Sequence, residues 1–170
     1  MPSPPPRRPR LGLAPSVSGP AREYPVAPLV GVGAVVVDGA RVLLVRRGRP
    51  PARGKWSLPG GLIELGESVE AAIRREVVEE CGLDVRLHGL VGIVDRIVRD
   101  AEGRVQYHYV LLDYLATPVA GRARAGSDAA ELRWVRLDDL SGLEVTDGLE
   151  PMIRRALELD GARRRREGTT

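Results

Sequence analysis

GGLIELGESVEAAIRREVVEECGL, residues 60–83, decides how this chain is read. Ser68 is a good N-cap, and Gly82 stands where a left-handed residue closes a helix, so the spacing predicts a helix from about Val69 to Cys81. At 100° per residue Val69, Ile73 and Val77 make an apolar stripe. Glu76 and Glu80 fall within the angular range of that stripe, and Ala72 and Glu79 lie beside it. Residues three and four apart on a helix face each other at roughly 5–6 Å. At an effective dielectric of about 20, each like-charged pair repels by on the order of 3 kcal/mol before screening. A solvated face carrying surface ion pairs accounts for Glu70 and Arg74, but an ionised Glu80 near the core needs a partner. Clustered hard oxygen ligands suit Mg²⁺ or Mn²⁺ beside substrate phosphates, so a divalent metal is the expected counter-charge.

The rest of the chain frames that helix. Its 170 residues, 43% hydrophobic, suit one soluble globular domain with a single substantial core. Cys81 is the sole cysteine, so no intrachain disulfide forms, and no apolar run is long enough to span a membrane. A reducing cytoplasm is the expected compartment, with no targeting signal read at the N-terminus. The net charge of +3 divides into +6 on the tails, residues 1–27 and 163–170, and −3 on residues 28–162. A domain that is not basic argues against a groove tracking nucleic acid, and the RRRR run at Arg163–Arg166 reads as a solvated tail.

Residues 1–28 hold nine of the fourteen prolines, which predicts a disordered arm over 1–27. LVGVGAVVV and RVLLVRR, joined at Asp38-Gly39, read as a β-hairpin. RGRPPARGKWSLPGG reads as loop, and RLHGLVGIVDRIVR with RVQYHYVLLDYLA as an antiparallel pair turning near Asp100–Gly103. LRWVRL is a further short strand, and a final helix is expected near residues 147–160. The order of strands, helix, strands, helix predicts a mixed β-sheet between helices in one domain over residues 28–162, with a disordered basic tail over 163–170.

The opening stretch resembles the Nudix box, GX5EX7REUXEEXGU with U aliphatic. Gly61, Glu67, Arg75-Glu76, Val77, Glu79-Glu80 and Gly82-Leu83 match all nine fixed positions over 23 residues, so chance agreement is negligible. The likeness extends over roughly residues 29–160. It implies an α/β (α+β) fold of the Nudix type, an α/β/α sandwich with a mixed sheet. It also implies metal-dependent hydrolysis of a nucleoside diphosphate linked to another group. On that resemblance Glu76, Glu79, Glu80 and the Gly60 carbonyl would hold Mg²⁺ or Mn²⁺. Arg75 would orient a box glutamate, and Gly61, Glu67 and Gly82 would shape the loop and helix. Many relatives add an acid before the last strand. Asp128 stands in that place, with Glu131 as the alternative, and a plain loop acid is the competing reading.

Among the aromatics, Tyr107, His108 and Tyr114 sit in strand patterns that are commonly core, whereas Trp56, in a loop beside Pro59-Gly60, is the candidate substrate contact. Cys81 reads as inert packing. GKWSLPGG, HYVLLDYLA and AAELRWVRLDDL resemble ADP-ribose pyrophosphatases, although the proline many of them carry beyond the box is replaced here by the Val98-Arg99 region. The resemblance implies ADP-ribose as substrate and a small nucleotide as partner, with no membrane and no specific nucleic acid, and leaves a homodimer open. The alternatives are a (d)NTP pyrophosphohydrolase and, in another class, a nucleotide-sensing regulator that binds without turnover.

Overall fold

The computed structural model describes residues 21–126 and 129–168. The first hairpin consists of β1 (Leu29–Asp38) and β2 (Arg41–Arg47), antiparallel with Val37 opposite Val42. Residues 32–37 of β1 and 42–45 of β2 carry no polar side chain because both of their faces are covered. Val32, Ala34, Val36, Leu43 and Val45 pack to one side, and Val35, Val37, Val42 and Leu44 to the other.

The helix of the opening stretch, α1 (Val69–Cys81), covers the first side with Ala72, Ile73, Val77 and Cys81. The second side is covered by α2 (Leu149–Glu167) with Leu149, Ile153 and Ala156. Between β2 and α1 run two short strands, β3 (Trp56–Ser57) and β4 (Gly60–Leu62), in a stretch expected to be loop. After α1 come β5 (Leu83–Arg99) and β6 (Val105–Gly121), which form the expected antiparallel pair, and then β7 (Ala129–Arg136). The strand order is β3-β2-β1-β6-β5, with β4 on β1 and β7 on β2. Because β1 and β6 run parallel while the other pairs are antiparallel, the sheet is mixed. The result is the expected open α/β/α sandwich. Among the described residues no helix is long and apolar enough to cross a membrane.

The described residues near both ends are more ordered than their composition suggests. Residues 1–20 lie outside the described residues, but the end of the expected arm docks on the β5–β6 hairpin. The Tyr24 N–H donates to the Gln106 carbonyl at 2.8 Å, and its hydroxyl donates to Asp100 at 3.0 Å. Arg104 lies over the Tyr24 ring, 5.1 Å from its centroid. The tail expected to be disordered over 163–170 is helical to Glu167. Buried Asp160 is the reason: it accepts from Arg163 at 2.8 Å and Arg164 at 2.6 Å, one turn further on, and Arg163 also holds Glu167.

Candidate active site

Local signals make α1 as the sequence predicts. The Ser68 hydroxyl accepts the Ala71 N–H at 3.2 Å, and Gly82, at φ +66°, takes the left-handed conformation that ends the helix. The carboxylates within and beside the apolar stripe differ in exposure. The Glu76 side chain is 14% exposed and that of Glu79 is 58% exposed. Glu80 reaches back to the strand before the helix, where its Oε2 accepts the Gly60 N–H at 2.9 Å. A Cβ on Gly60 would collide with the Val32 carbonyl, so glycine is needed there, and one on Gly61 would displace the Glu76 carboxylate.

Much of the counter-charge sought for these acids is supplied by Arg75. Its guanidinium forks onto Glu67 with two bonds of 2.9 Å, reaches Glu76 at 2.8 Å and Glu79 at 3.3 Å, and donates to the Leu62 carbonyl at 3.1 Å. The hydrogen bond from Arg75, with help from the Glu64 N–H, pulls the Glu67 carboxyl down to about 2. Burial outweighs Arg75 at Glu76 and pushes its carboxyl above the ordinary value. Arg75 is thus shared among three of the four glutamates at the fixed positions of the box.

The donor chemistry of Glu76, Glu79, Glu80 and the Gly60 carbonyl, all oxygen, fits a hard divalent cation. As they stand, Glu76 and Glu79 are turned onto Arg75, and among the described residues no three acidic, His or Cys side chains converge closely enough to hold an ion.

The remaining candidates divide. Asp128 lies outside the described residues. The loop leading to it is fixed to the end of α1, since the Arg124 and Gly126 N–H groups each donate at 2.9 Å to the carbonyls of Cys81 and Glu80. Glu131 is engaged on β7 with Arg133 at 3.3 Å and Arg46 at 3.8 Å. Trp56 is a correction. Strand β3 carries its ring into the core beneath α2, where it is 5% exposed and packs under the Arg133 guanidinium, 5.0 Å from the ring centroid. A ring so enclosed offers no platform to a substrate.

Residues that the motif did not flag also gather here. Arg47, at the end of β2, is half-buried and held by the Pro51 carbonyl at 2.8 Å. Burial and then the Arg96 charge lower its pKa, with Glu80, Tyr109 and Arg22 also in electrostatic reach. Asp113 on β6 is 7% exposed, and burial alone pushes its carboxyl up to about 6.

A model of the NUDIX domain matches residues 27–156. The chain belongs to the Nudix hydrolase family. It is 34% identical over 116 residues to the ADP-ribose pyrophosphatase of Methanocaldococcus jannaschii, covering 68% of this chain and 66% of that protein. Its fold superimposes on the MutT NUDIX hydrolase from Burkholderia pseudomallei with a TM-score of 0.67 and 35% identity, over 76% of this chain and 98% of that one. A shorter match, 47% over 55 residues, links 32% of the chain to 39% of a putative 8-oxo-dGTP diphosphatase 2 of Mycobacterium tuberculosis. In this Nudix protein the box glycines, Arg75 and the carboxylate helix thus form one connected unit.

Asp113 gives a stability prediction. Its folded pKa lies above the unfolded value of 3.8, so its favourable share is complete below about 3.8 and is lost as pH rises through 6. Asp113→Asn should therefore stabilise the fold at pH 8 by up to about 3 kcal/mol and have little effect near pH 3.5. Urea midpoints at the two pH values measure this, and equal midpoints at pH 8 would contradict it.

Proposed function

We propose that the protein hydrolyses ADP-ribose to AMP and ribose 5-phosphate. The observation that carries this reading is the likeness to the M. jannaschii ADP-ribose pyrophosphatase over two thirds of the chain, together with a complete and internally bonded box. Glu76, Glu79, Glu80 and the Gly60 carbonyl would hold Mg²⁺ or Mn²⁺. When bound, such an ion neutralises the diphosphate, polarises a phosphoryl oxygen and makes water a better nucleophile.

The chain's own groups do the rest. Arg75 fixes Glu67 and Glu76 against the loop, and the Gly60 N–H fixes Glu80. Arg47, with Arg96 and Arg22 within electrostatic reach, places positive charge near Glu80, suited to a polyanion. Cys81 cannot serve as nucleophile, because it is buried and burial pushes its thiol up to about 12. Direct attack by water on one phosphorus is therefore the simpler route.

A second reading, (d)NTP pyrophosphohydrolysis, is favoured by the shorter match to the putative 8-oxo-dGTP diphosphatase. A substrate panel with Mg²⁺ separates the two. ADP-ribose should give the highest kcat/KM, and in H₂¹⁸O a single turnover should label one of the two product phosphates only. A higher kcat/KM for any (d)NTP would replace the first reading with the second, and label in neither phosphate would exclude attack by water.

A further inference from the structure

Strand β5 ends the sheet. In the order β3-β2-β1-β6-β5 it pairs with β6 alone, so its outer edge carries backbone N–H and C=O groups that no described strand meets. Such edges are usually short, broken by bulges or blocked by proline, because they pair readily with another chain. β5 runs from Leu83 to Arg99 without a proline. The residues it bulges out, His88 and Val91, both fall before Gly92: Leu87 and Gly89 face consecutive residues of β6, and so do Leu90 and Gly92. From Gly92 to Arg99 the strand itself is regular, since the extra residue at the Val98–Arg99 step is Gln106 of β6. The outer half of the edge is therefore unguarded.

The same half has an uncovered face. Gly92 is turned toward Met152 of α2, and side chains alternate from there, so Ile93, Asp95, Ile97 and Arg99 point to the opposite face. All four are exposed, whereas Val94, Arg96 and Val98 between them are half-buried. Ile93 is 59% exposed and Ile97 is 49% exposed. Asp95 and Arg99 stand two residues to either side of Ile97. Among the described residues no hydrogen bond or ion pair engages the Asp95 side chain, and Arg99 donates to the Gly103 carbonyl at 3.0 Å without an acidic partner. An apolar centre flanked by one free charge of each sign is complementary to its own reversed copy.

We infer that β5 pairs with β5 of a second copy of this chain, antiparallel about a twofold axis through Ile97, so that two sheets become one. In that register Ile97 meets the partner's Ile97, and each Asp95 lies opposite the partner's Arg99. Cross-strand neighbours on one face stand about 5 Å apart, close enough for the isoleucines to shield each other and for the charges to pair. Centring the axis on Asp95 or on Arg96 would instead oppose two like charges, and centring it on Ile93 would carry the pairing into the bulge at Val91. The paired run is short, which puts the interface at the small end of specific ones, so the dimer is reversible with a Kd on the order of 10 µM. None of this depends on which nucleotide the protein hydrolyses.

Sedimentation equilibrium of the full chain from about 1 µM to 1 mM, a range that brackets this Kd, should show monomer passing to dimer. Asp95→Arg sets arginine against arginine at both ends of the pairing, and Arg99→Asp sets aspartate against aspartate. Each variant alone should therefore self-associate at least about tenfold more weakly than the wild type. Mixed in equal amounts, the two should associate as tightly as the wild type does, because every arginine then faces an aspartate. The double variant Asp95→Arg/Arg99→Asp should likewise recover self-association. In the wild type, amide hydrogen exchange within residues 92–99 should slow as the dimer forms, a reading that needs no variant. A chain still monomeric at the highest concentration overturns the inference. So does a dimer that both charge reversals leave unchanged, one that neither the mixture nor the double variant restores, or one that leaves exchange within residues 92–99 as it was.

Discussion

Glu80→Gln should yield a folded protein whose kcat/KM is lower by at least about a hundredfold, a loss of roughly 2.7 kcal/mol in transition-state stabilisation. The glutamine carbonyl can still accept the Gly60 N–H that Glu80 accepts at 2.9 Å, so the join between β4 and α1 survives. What disappears is one negative charge among the three glutamates proposed as metal ligands. In chelator the variant should melt at the same temperature as the wild type or slightly higher, because like charges one turn apart on α1 have been reduced. Added Mg²⁺ should raise the wild-type melting temperature and raise that of the variant much less, since a ligand stabilises only in proportion to its affinity for the native state. Full activity with an undiminished Mg²⁺ shift would remove Glu80 from the proposed metal ligands.

What the sequence revealed of this site depended on how local the determining contacts were. The extent of α1 was readable because Ser68 and Gly82 act within one turn, whereas angle alone does not separate Glu79, 58% exposed, from fully buried Ala72 beside the same stripe. The role of Arg75 as the hub was less visible. Its bond to Glu79 is an ordinary i,i+4 pair, but Glu67 and the Leu62 carbonyl reach it only because the loop before the helix folds back. Trp56 was misread because a two-residue strand, too short to show a period, turns it into the core. The C-terminal run of arginines looked like a tail, yet Asp160, Arg163, Arg164 and Glu167 stand at the three- and four-residue steps that extend a helix. Asp113 gave no local signal. It sits in an apolar strand, and its isolation depends on Gly33 and Gly92, which the sheet brings to either side from distant parts of the chain.

Arg75→Ala should be the most destabilising single change in the box, and should lower activity as well. The guanidinium serves three carboxylates and a carbonyl at once, and its removal leaves Glu67 and Glu76, whose side chains are 15% and 14% exposed, without their positive partner. The melting temperature should fall by at least about 5 °C and kcat/KM by at least about tenfold, since Glu76 loses the contact that orients it. Arg75→Lys should recover little, because one ammonium cannot fork onto Glu67 and reach Glu76 as well. The sign of the pH effect identifies the cause. Glu67 is depressed to about 2 by its bonds to Arg75, so the stability it contributes is complete above the ordinary carboxylate value and is lost as pH falls toward 2. The gap in melting temperature between wild type and Arg75→Ala should therefore be widest above pH 5 and narrow steadily below pH 4. A gap that stayed constant down to pH 2 would mean that Arg75 acts through its bond to the Leu62 carbonyl and through packing, and that Glu67 is a bystander rather than the anchor of the loop.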